Sequence, residues 1–239
     1  MVPETFNIVG EIHRYLRQQK DLFGEELYLP RNDVLTFKSQ NKCDDSLDAF
    51  YHSIKTCEKC ALAKTRTHFV FGTGNPHAEF MLIGEAPGRD EDLQGEPFVG
   101  KAGQLLDKIL AAIEFKRSEV YIANILKCRP PQNRDPLPEE VALCMPYLFQ
   151  QIDMIRPKII LALGRIAAHH LLRTSTSLTR LRGSVHDFEG ISVIVTFHPA
   201  ALLRNPHWKK PAWEDVQMLR KWYDEKVGDK TPWNPQRRK

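Results

Sequence analysis

The chain alternates short apolar runs with longer stretches in which apolar residues recur at helical spacing. Runs of this length are typical of strands that are buried on both faces of a sheet. They lie at residues 80–83, 120–125, 158–163 and 192–197. Helical spacing predicts helices at residues 47–54, 101–113, 138–155, 164–172 and 213–226. Because strands alternate with helices, we expect an α/β fold, a single-domain α/β/α sandwich around a four-stranded, mainly parallel sheet.

The segments between these elements, and the two ends of the chain, follow neither pattern. Residues 84–100 and 173–183 are rich in polar residues and glycine, and they are predicted to be loops. Residues 1–45 are predicted to form an N-terminal helical extension and a linker. Residues 46–226 carry the alternating pattern of the domain, and residues 227–239 form a basic tail without periodicity.

Composition narrows the class of protein without identifying it. With 42% hydrophobic residues, 239 residues are enough for one substantial core. No apolar run is long enough to cross a bilayer, and the N-terminus lacks the apolar centre of a signal peptide, so we expect a cytoplasmic monomer. The net charge of +4 permits binding to nucleic acid but does not establish it.

Polar residues stand where three of the predicted strands end. Gly84 and Glu85 follow the first strand, Asn124 lies near the end of the second, and His198 follows the fourth. The carboxyl ends of parallel strands share one edge of a sheet, where ligands bind in open α/β folds. Asn124 either caps the chain locally or hydrogen-bonds the amide-like edge of a ligand. His198 is either a structural residue at the end of a strand or a functional one.

Aromatic and apolar residues beside this edge have two interpretations. Phe98 follows Pro97 in a polar loop, and it is either core or a flat platform for a base. Leu202 and Leu203, followed by Arg204, are either core or an apolar wedge that enters a base stack. Basic residues nearby are either a solvated surface or contacts to phosphate; they are Arg180, Arg182, Lys209 and Lys210.

Four of the five cysteines form two pairs. Cys57 and Cys60 have the spacing of a metal chelate, and Cys128 and Cys144 form a second pair. Stable disulfides are rare in the cytosol, so the pairs favour a metal site over four unrelated buried thiols. Four thiolates suit either zinc or an iron–sulfur cluster, and spacing alone does not choose between them. Cys43, in the linker, is predicted to be a bystander.

Taken together, the motifs resemble those of the iron–sulfur uracil-DNA glycosylases, a group often called family 4. The resemblance covers residues 57–206 and rests on the segments CEKCALAKTRTHFVFGTGNP, GEAPG, GEPFVGKAGQLLD, NILKCRPPQNRDP, LALGR and VTFHPAALLRNP. It implies a parallel sheet between helices and a [4Fe-4S] cluster on Cys57, Cys60, Cys128 and Cys144. It further implies that the substrate is uracil-containing DNA, single- or double-stranded.

The same resemblance implies roles for individual residues. Gly84, Glu85 and Ala86 belong to its first active-site motif. Phe98 is expected to stack on the flipped uracil, and Asn124 to read its edge. His198 is expected to face the uracil carbonyl that gains negative charge as the glycosidic bond breaks. Leu202, Leu203 and Arg204 are expected to form a DNA-intercalating loop, which fills the space that the flipped base leaves in the stack.

One position departs from the wider superfamily. Where other uracil glycosylases carry a catalytic carboxylate, two residues after Gly84, this chain has Ala86. The water must then be oriented by another group, and we expect Glu85 to do so with support from Glu91. The chain also lacks a Lys-Arg-Arg-Ile-His insertion, which marks relatives that become covalently attached to DNA, so the resemblance implies simple hydrolysis.

Two other functions are compatible with parts of the pattern. Within the enzyme class, the alternative is a glycosylase of broader range that also removes hypoxanthine or xanthine. Outside it, the alternative is a non-catalytic nucleic-acid-binding module with zinc or an iron–sulfur cluster. A bare binding module has no need for Glu85, Phe98, Asn124 and His198 at one sheet edge, so the sequence favours the glycosylase.

Overall fold

The computed structural model describes residues 46–235, and these contain one mixed sheet. Its strands are β1 (Thr73–Gly74), β2 (Phe80–Gly84), β3 (Tyr121–Asn124), β4 (Ile159–Leu163), β5 (Val185–Phe188) and β6 (Ile191–Thr196). Within the described range the sheet has six strands in the order β1-β3-β2-β4-β6-β5. The predicted helical extension at residues 1–45, with Cys43, lies outside the described residues.

The four predicted strands form the centre of this sheet, as β3, β2, β4 and β6, and every pairing among them is parallel. The expectation of four strands is nevertheless wrong, because β1 and β5 add antiparallel edges. Neither edge strand has an apolar run, since β1 is two residues long and β5 is mostly exposed. The turn at residues 189–190 joins β5 to β6.

Helices cover both faces of the sheet. They are α1 (Leu47–Ile54), α2 (Arg89–Gln94), α3 (Lys101–Ala112), α4 (Pro138–Ile155), α5 (Arg165–Leu171), α6 (Leu178–Leu181), α7 (Pro199–Arg204) and α8 (Lys209–Lys226). Side chains of a strand alternate between its faces. Met81 and Ile83 therefore pack with α1, α4 and α5, whereas Phe80 and Leu82 pack with α3 and α8.

Three segments predicted to be loops contain short helices. α2 lies inside residues 84–100, α6 lies inside residues 173–183, and α7 occupies the expected intercalating loop. α2 and α7 span six residues each and α6 spans four. A helix of one or two turns has too few positions for the 3.6-residue repeat to show in the sequence.

The start of the predicted tail packs against the domain. The backbone N–H of Trp233 donates to Asp224 Oδ2 at 2.9 Å, and Arg220 donates to the carbonyl of Thr231 at 2.7 Å. Lys230 pairs with Glu119 at 2.6 Å. Residues 230–233 thus lie along α8 and the turn before β3. In the described part of the chain, no helix has the length and apolarity needed to cross a membrane.

Candidate active site

A cavity of about 330 Å³ opens at the carboxyl edge of the central strands. The parallel pairing of β2, β3, β4 and β6 brings together residues that are far apart in the chain, as the strand-end argument predicted. Its lining consists of Glu85, Ala86, Pro87, Gly88, Glu91, Phe98, Ala102, Asn124, Pro130, Asn133, Arg134, Asp135, His198, Ala200 and Arg204. Most of the predicted active-site residues are therefore in one place.

The innermost wall is formed where β2 and β3 end side by side. Gly84 is paired with Asn124 across the two strands. The pairing continues beyond the strands, because the N–H groups of Ile125 and Leu126 donate to the carbonyls of Gly84 and Glu85 at 3.0 Å each. These bonds hold the backbone on either side of Asn124 in a defined position.

Gly84 has no side chain because its neighbours occupy that space. A Cβ at this position would lie 2.4 Å from Asn124 Oδ1 and 2.6 Å from the ring of Phe98. Both distances are far shorter than a van der Waals contact. The glycine therefore allows the amide of Asn124 and the ring of Phe98 to approach the same point.

Asn124 carries an unsatisfied acceptor. The residue is 2% exposed, and its Oδ1 has no hydrogen-bond partner among the described residues. An unsatisfied buried acceptor costs about 1–3 kcal/mol, so such atoms are uncommon and call for an explanation. A ligand N–H bound in the cavity would supply the missing donor.

Phe98 is held in a strained conformation on the cavity wall. Its φ is 55°, in the left-handed region that a residue with a bulky side chain avoids. Arg117 donates to the carbonyl of Phe98 at 3.1 Å and also to that of Pro97. Gly103 of α3 approaches so closely that a Cβ there would overlap the Phe98 carbonyl oxygen at 1.8 Å. Surrounding contacts thus stabilise a ring orientation that the backbone alone disfavours.

The ring of His198 lies against that of Phe98 on the cavity wall, with 5.4 Å between the ring centroids. It is the N-cap of α7, and its Nδ1 accepts a hydrogen bond from the N–H of Ala200 at 3.2 Å. This bond assigns the proton of the neutral ring to Nε2. Burial, with a smaller contribution from Arg204, lowers the pKa of His198 to about 4. At neutral pH the residue is therefore an uncharged imidazole whose Nε2–H is a donor.

Arg182 supports the strand that carries His198. It pairs with the buried Asp215 at 2.6 Å, and Asp215 also accepts from the hydroxyl of Thr196 at 2.7 Å. The guanidinium lies 4.3 Å from the centroid of the Phe197 ring. Of the two interpretations of Arg182, these internal partners favour a structural role over a contact to phosphate.

Glu85 lines the cavity near two other charged residues. The pKa of Glu85 is raised to about 6, chiefly by burial and also by the Asp135 carboxylate, while Arg165 acts in the opposite direction. Asp135 pairs with Arg165 at 2.7 Å on the exposed side. The carboxylate of Glu85 is thus charged above pH 6 and available to the cavity.

Glu91 is committed to the backbone of its own loop. One oxygen accepts from the N–H groups of Val99 and Gly100 at 3.0 and 2.9 Å, and the other accepts from Gly88 at 3.1 Å. These bonds tie the two ends of the loop together. The structure thus gives Glu91 a role in holding the loop, and its expected support of Glu85 in orienting water stays a prediction.

Sequence reasoning assigned no role to several residues of the loop after β3. Arg134 makes two bonds to Glu140, at 2.9 and 2.6 Å, and so fixes a loop whose Asn133 and Asp135 line the cavity. Arg165 begins α5, just after β4 ends. Their position in the chain could have indicated a role, because the segments after β3 and β4 leave the sheet at the same edge as Asn124 and His198.

The structure separates the two leucines of the predicted intercalating loop. Leu202 is 2% exposed and packs with Phe197 and Ala212, so it belongs to the core. Leu203 is 46% exposed on the same short helix, and Arg204 lines the cavity. Of the pair, only Leu203 is accessible from outside the protein, and its intercalating role stays a prediction.

The four cysteines of the predicted metal site lie near the same part of the sheet. Within the described range all four are free thiols, and all pack against the core on the α4 face. Three of them accept hydrogen bonds: Cys128 from Arg66 at 3.3 Å, Cys144 from the N–H of Lys127 at 3.3 Å, and Cys57 from the Tyr147 hydroxyl at 3.2 Å.

The thiols also influence one another electrostatically. The pKa of Cys144 is raised to about 11, chiefly by burial; Lys127 opposes this rise, and Cys128 and Cys60 add to it. Burial likewise raises the pKa of Cys128, where Arg66 opposes the rise and Cys60 and Cys57 add to it. Among residues 46–235, no group of His, Cys, Asp or Glu residues has the arrangement needed to hold a metal ion. The ligand assignment thus stays a prediction that rests on the proximity of the thiols and on the resemblance.

Known proteins are similar to this chain over most of its length. The family model described as the uracil DNA glycosylase superfamily matches residues 71–217. A type-4 uracil-DNA glycosylase of Archaeoglobus fulgidus is 47% identical over 183 residues, which are 73% of this chain and 92% of the relative. Type-4 uracil-DNA glycosylases of Sulfurisphaera tokodaii and Saccharolobus solfataricus are each 43% identical over 185 residues, 74% of this chain and 84% and 86% of the relatives.

The matched region contains β1 to β6 and all of the cavity lining described above. The family model covers more than half of the chain, and the type-4 relatives are matched over most of their own length. This chain therefore belongs to the uracil DNA glycosylase superfamily and, within it, to the type-4 group.

Proposed function

We propose that this protein excises uracil from DNA by hydrolysing the N-glycosidic bond, which releases free uracil and leaves an abasic site. The observation that carries the proposal is the unpaired Oδ1 of Asn124 on the wall of a cavity that Phe98 and His198 also line. The names of the type-4 relatives support it. A base in a duplex must be flipped out of the stack to reach such a cavity.

Asn124 provides the selectivity for uracil. Uracil presents an N–H where cytosine presents an unprotonated ring nitrogen, so uracil satisfies Asn124 Oδ1 and cytosine leaves it facing another acceptor. A site built to hydrogen-bond a substrate rejects an analogue that leaves its buried polar groups unpaired. The ring of Phe98 adds a flat surface on which the flipped base stacks.

His198 stabilises the leaving base. Cleavage of the N-glycosidic bond leaves electrons on uracil and positive charge on the sugar, and both charges grow in the transition state. The Nε2–H of a neutral His198 donates to the uracil oxygen that becomes negative. Arg204, at the cavity edge, is placed to contact a phosphate of the flipped nucleotide.

Glu85 orients the water that attacks the sugar. The carboxylate lines the cavity, and Asp135 and Arg165 lie nearby. Ala86 provides no carboxylate of its own, and both oxygens of Glu91 are occupied. Glu85 is therefore the carboxylate of this loop that remains available to hold water.

We expect the rate of uracil release to fall on the acid side of pH 6 because Glu85 is protonated there. Its pKa of about 6 lies above the ordinary value, so the active carboxylate is present above pH 6 and lost about tenfold per pH unit below it. Glu85→Gln should be slow at pH 8 and should lack this decline. Single-turnover rates between pH 4.5 and 9 test this. An unchanged acid limb in Glu85→Gln would assign the limb to another group.

The proposed function is tested with oligonucleotides that carry one uracil, in single- and double-stranded form. Incubation followed by alkali should cleave the strand at the uracil, and an oligonucleotide with thymine at that position is the control. A hypoxanthine oligonucleotide measures the breadth of the range. If neither uracil substrate gains an abasic site, the proposal is rejected.

We further propose that Cys57, Cys60, Cys128 and Cys144 hold a [4Fe-4S] cluster. The chemistry of the donors suits such a cluster, since four free thiols pack on one face of the sheet and thiolate is its usual ligand. Arg66, the N–H of Lys127 and the Tyr147 hydroxyl already point donors at three of the sulfurs. When bound, the cluster supplies a cross-link between the segment before β1 and the segment after β3.

Purified protein should accordingly be brown and contain close to four iron atoms and four sulfide ions per chain. Cys128→Ser should lose most of the iron and lower the thermal midpoint, because one link between the two segments is removed. Metal analysis and visible absorption make the measurement. A colourless protein with one zinc ion would reject the cluster.

The domain boundaries and the monomeric state remain predictions.

A further inference from the structure

Lys127 is a buried cation directly behind the candidate active site. It is 0% exposed, and its ammonium donates to the backbone carbonyl of Asn124 at 2.9 Å and to Gln151 Oε1 at 2.6 Å. Gln151 is itself held in place, because its Nε2 donates to the carbonyl of Phe71 at 3.0 Å and to the Tyr121 hydroxyl at 3.3 Å. A closed network thus connects α4 to the end of β3.

An ammonium in this position needs a physical reason. Burying a charged group is costly unless it is paired or hydrogen-bonded, and an apolar side chain of the same length would fill the space without that cost. The charge therefore indicates a constraint that packing alone does not supply. The constrained group is the main chain of Asn124, whose Oδ1 is the unpaired acceptor of the cavity.

The same residue contacts the cysteine site. Its backbone N–H donates to Cys144 Sγ at 3.3 Å, and the next residue is Cys128. Lys127 therefore touches the reader of the base through its side chain and the predicted cluster ligands through its main chain.

We propose that Lys127 is a positioning residue for base recognition, which fixes the Asn124 main chain and couples its position to the cysteine site. This inference rests on the proposed function. The ammonium touches neither the base nor the sugar. It acts through Asn124, since a shift of the Asn124 carbonyl moves the amide relative to the ring of Phe98.

The test compares Lys127→Met with Arg220→Met. Arg220 is an equally buried cation. It donates to Asp224 and to the carbonyls of Ile113 and Thr231, and none of these residues belongs to the network that holds Asn124. We expect Lys127→Met to lower the single-turnover rate of uracil release about a hundredfold, as a displacement of about 1 Å does in a catalytic site. The affinity for the DNA should change less than about threefold. Arg220→Met should lose stability but keep the rate.

A double-mutant cycle separates positioning from general damage. If Lys127 acts through the Asn124 amide, then adding Lys127→Met to Asn124→Ala should cost little further rate. Additive losses would overturn the inference, and so would an unchanged rate in Lys127→Met. Wild-type protein that releases no uracil would instead reject the proposed function, so the two failures are distinguishable.

Iron content provides a readout besides activity. Lys127→Met should retain the iron and the visible spectrum of the wild type, because its backbone N–H to Cys144 is unaffected. Loss of iron in this variant alone would show that Lys127 serves cofactor retention, and it would overturn the positioning role. If Lys127→Met does not fold, Lys127→Gln enters the same cycle. If neither folds while Arg220→Met does, Lys127 is a residue of stability and the inference is rejected.

Discussion

Replacing Asn124 with alanine is expected to reduce uracil release about a thousandfold while leaving DNA affinity nearly unchanged. The reason lies in one atom: Asn124 Oδ1 is buried and has no partner within the described residues, so it gains a hydrogen bond when uracil enters the cavity. Loss of one preorganised polar contact typically costs 10²–10³ in rate, and the amide also sets the position of the base. Single-turnover rates with excess enzyme, together with equilibrium binding to an uncleaved oligonucleotide, provide the measurement.

Asn75→Ala is a matched control for this experiment. Asn75 is a half-buried asparagine in the turn before β2, outside the cavity lining, and its Oδ1 accepts from the N–H of His77 at 2.9 Å. It should keep the wild-type rate. If Asn124→Ala loses DNA binding and catalysis equally, Asn124 is structural, and the cavity needs another reader of the base.

His198→Ala is expected to lower the rate by about 10²–10³, the effect of removing one donor to a developing negative charge. The wall of the cavity orients this donor, since the N–H of Ala200 occupies Nδ1 and leaves the proton on Nε2. His198→Gln retains a neutral N–H group at similar reach, and it should recover part of the loss. The same single-turnover assay compares the three proteins.

The pH profile distinguishes a neutral imidazole from a charged one. Because burial and Arg204 lower the pKa of His198 to about 4, the ring is uncharged throughout the range from pH 6 to 9. Removing it should therefore lower the whole profile without changing its shape there. A decline of the rate near pH 6.5 that disappears in His198→Gln but persists in Glu85→Gln would contradict both the neutral state of His198 and the assignment of the acid limb to Glu85.

These effects depend on a pocket whose residues constrain one another. Gly84 leaves room for the Asn124 amide and the Phe98 ring, and Gly103 leaves room for the Phe98 carbonyl. Arg117 then holds Phe98 at a positive φ. Close contacts at Gly84 and Gly103 fix this geometry. A side chain added at either glycine should therefore disturb recognition of the base although no polar residue is replaced.

Much of this arrangement was predictable from local pattern. Buried parallel strands are continuous apolar runs, so the four central strands were identified, and their carboxyl ends placed Gly84, Glu85, Asn124 and His198 at one edge. The edge strands were missed because β1 is two residues long and β5 is largely exposed. Short helices such as α7 were missed because a single turn or two shows no periodicity.

Local periodicity and motif spacing were sufficient to predict the fold class, the edge that bears the site and the residue types that carry the chemistry. The use of each side chain became apparent from the folded structure. It placed Leu202 in the core and left Leu203 exposed, occupied both oxygens of Glu91 with backbone amides, and put Lys127 behind Asn124. Such roles depend on contacts between residues distant in the chain, which a linear pattern does not contain.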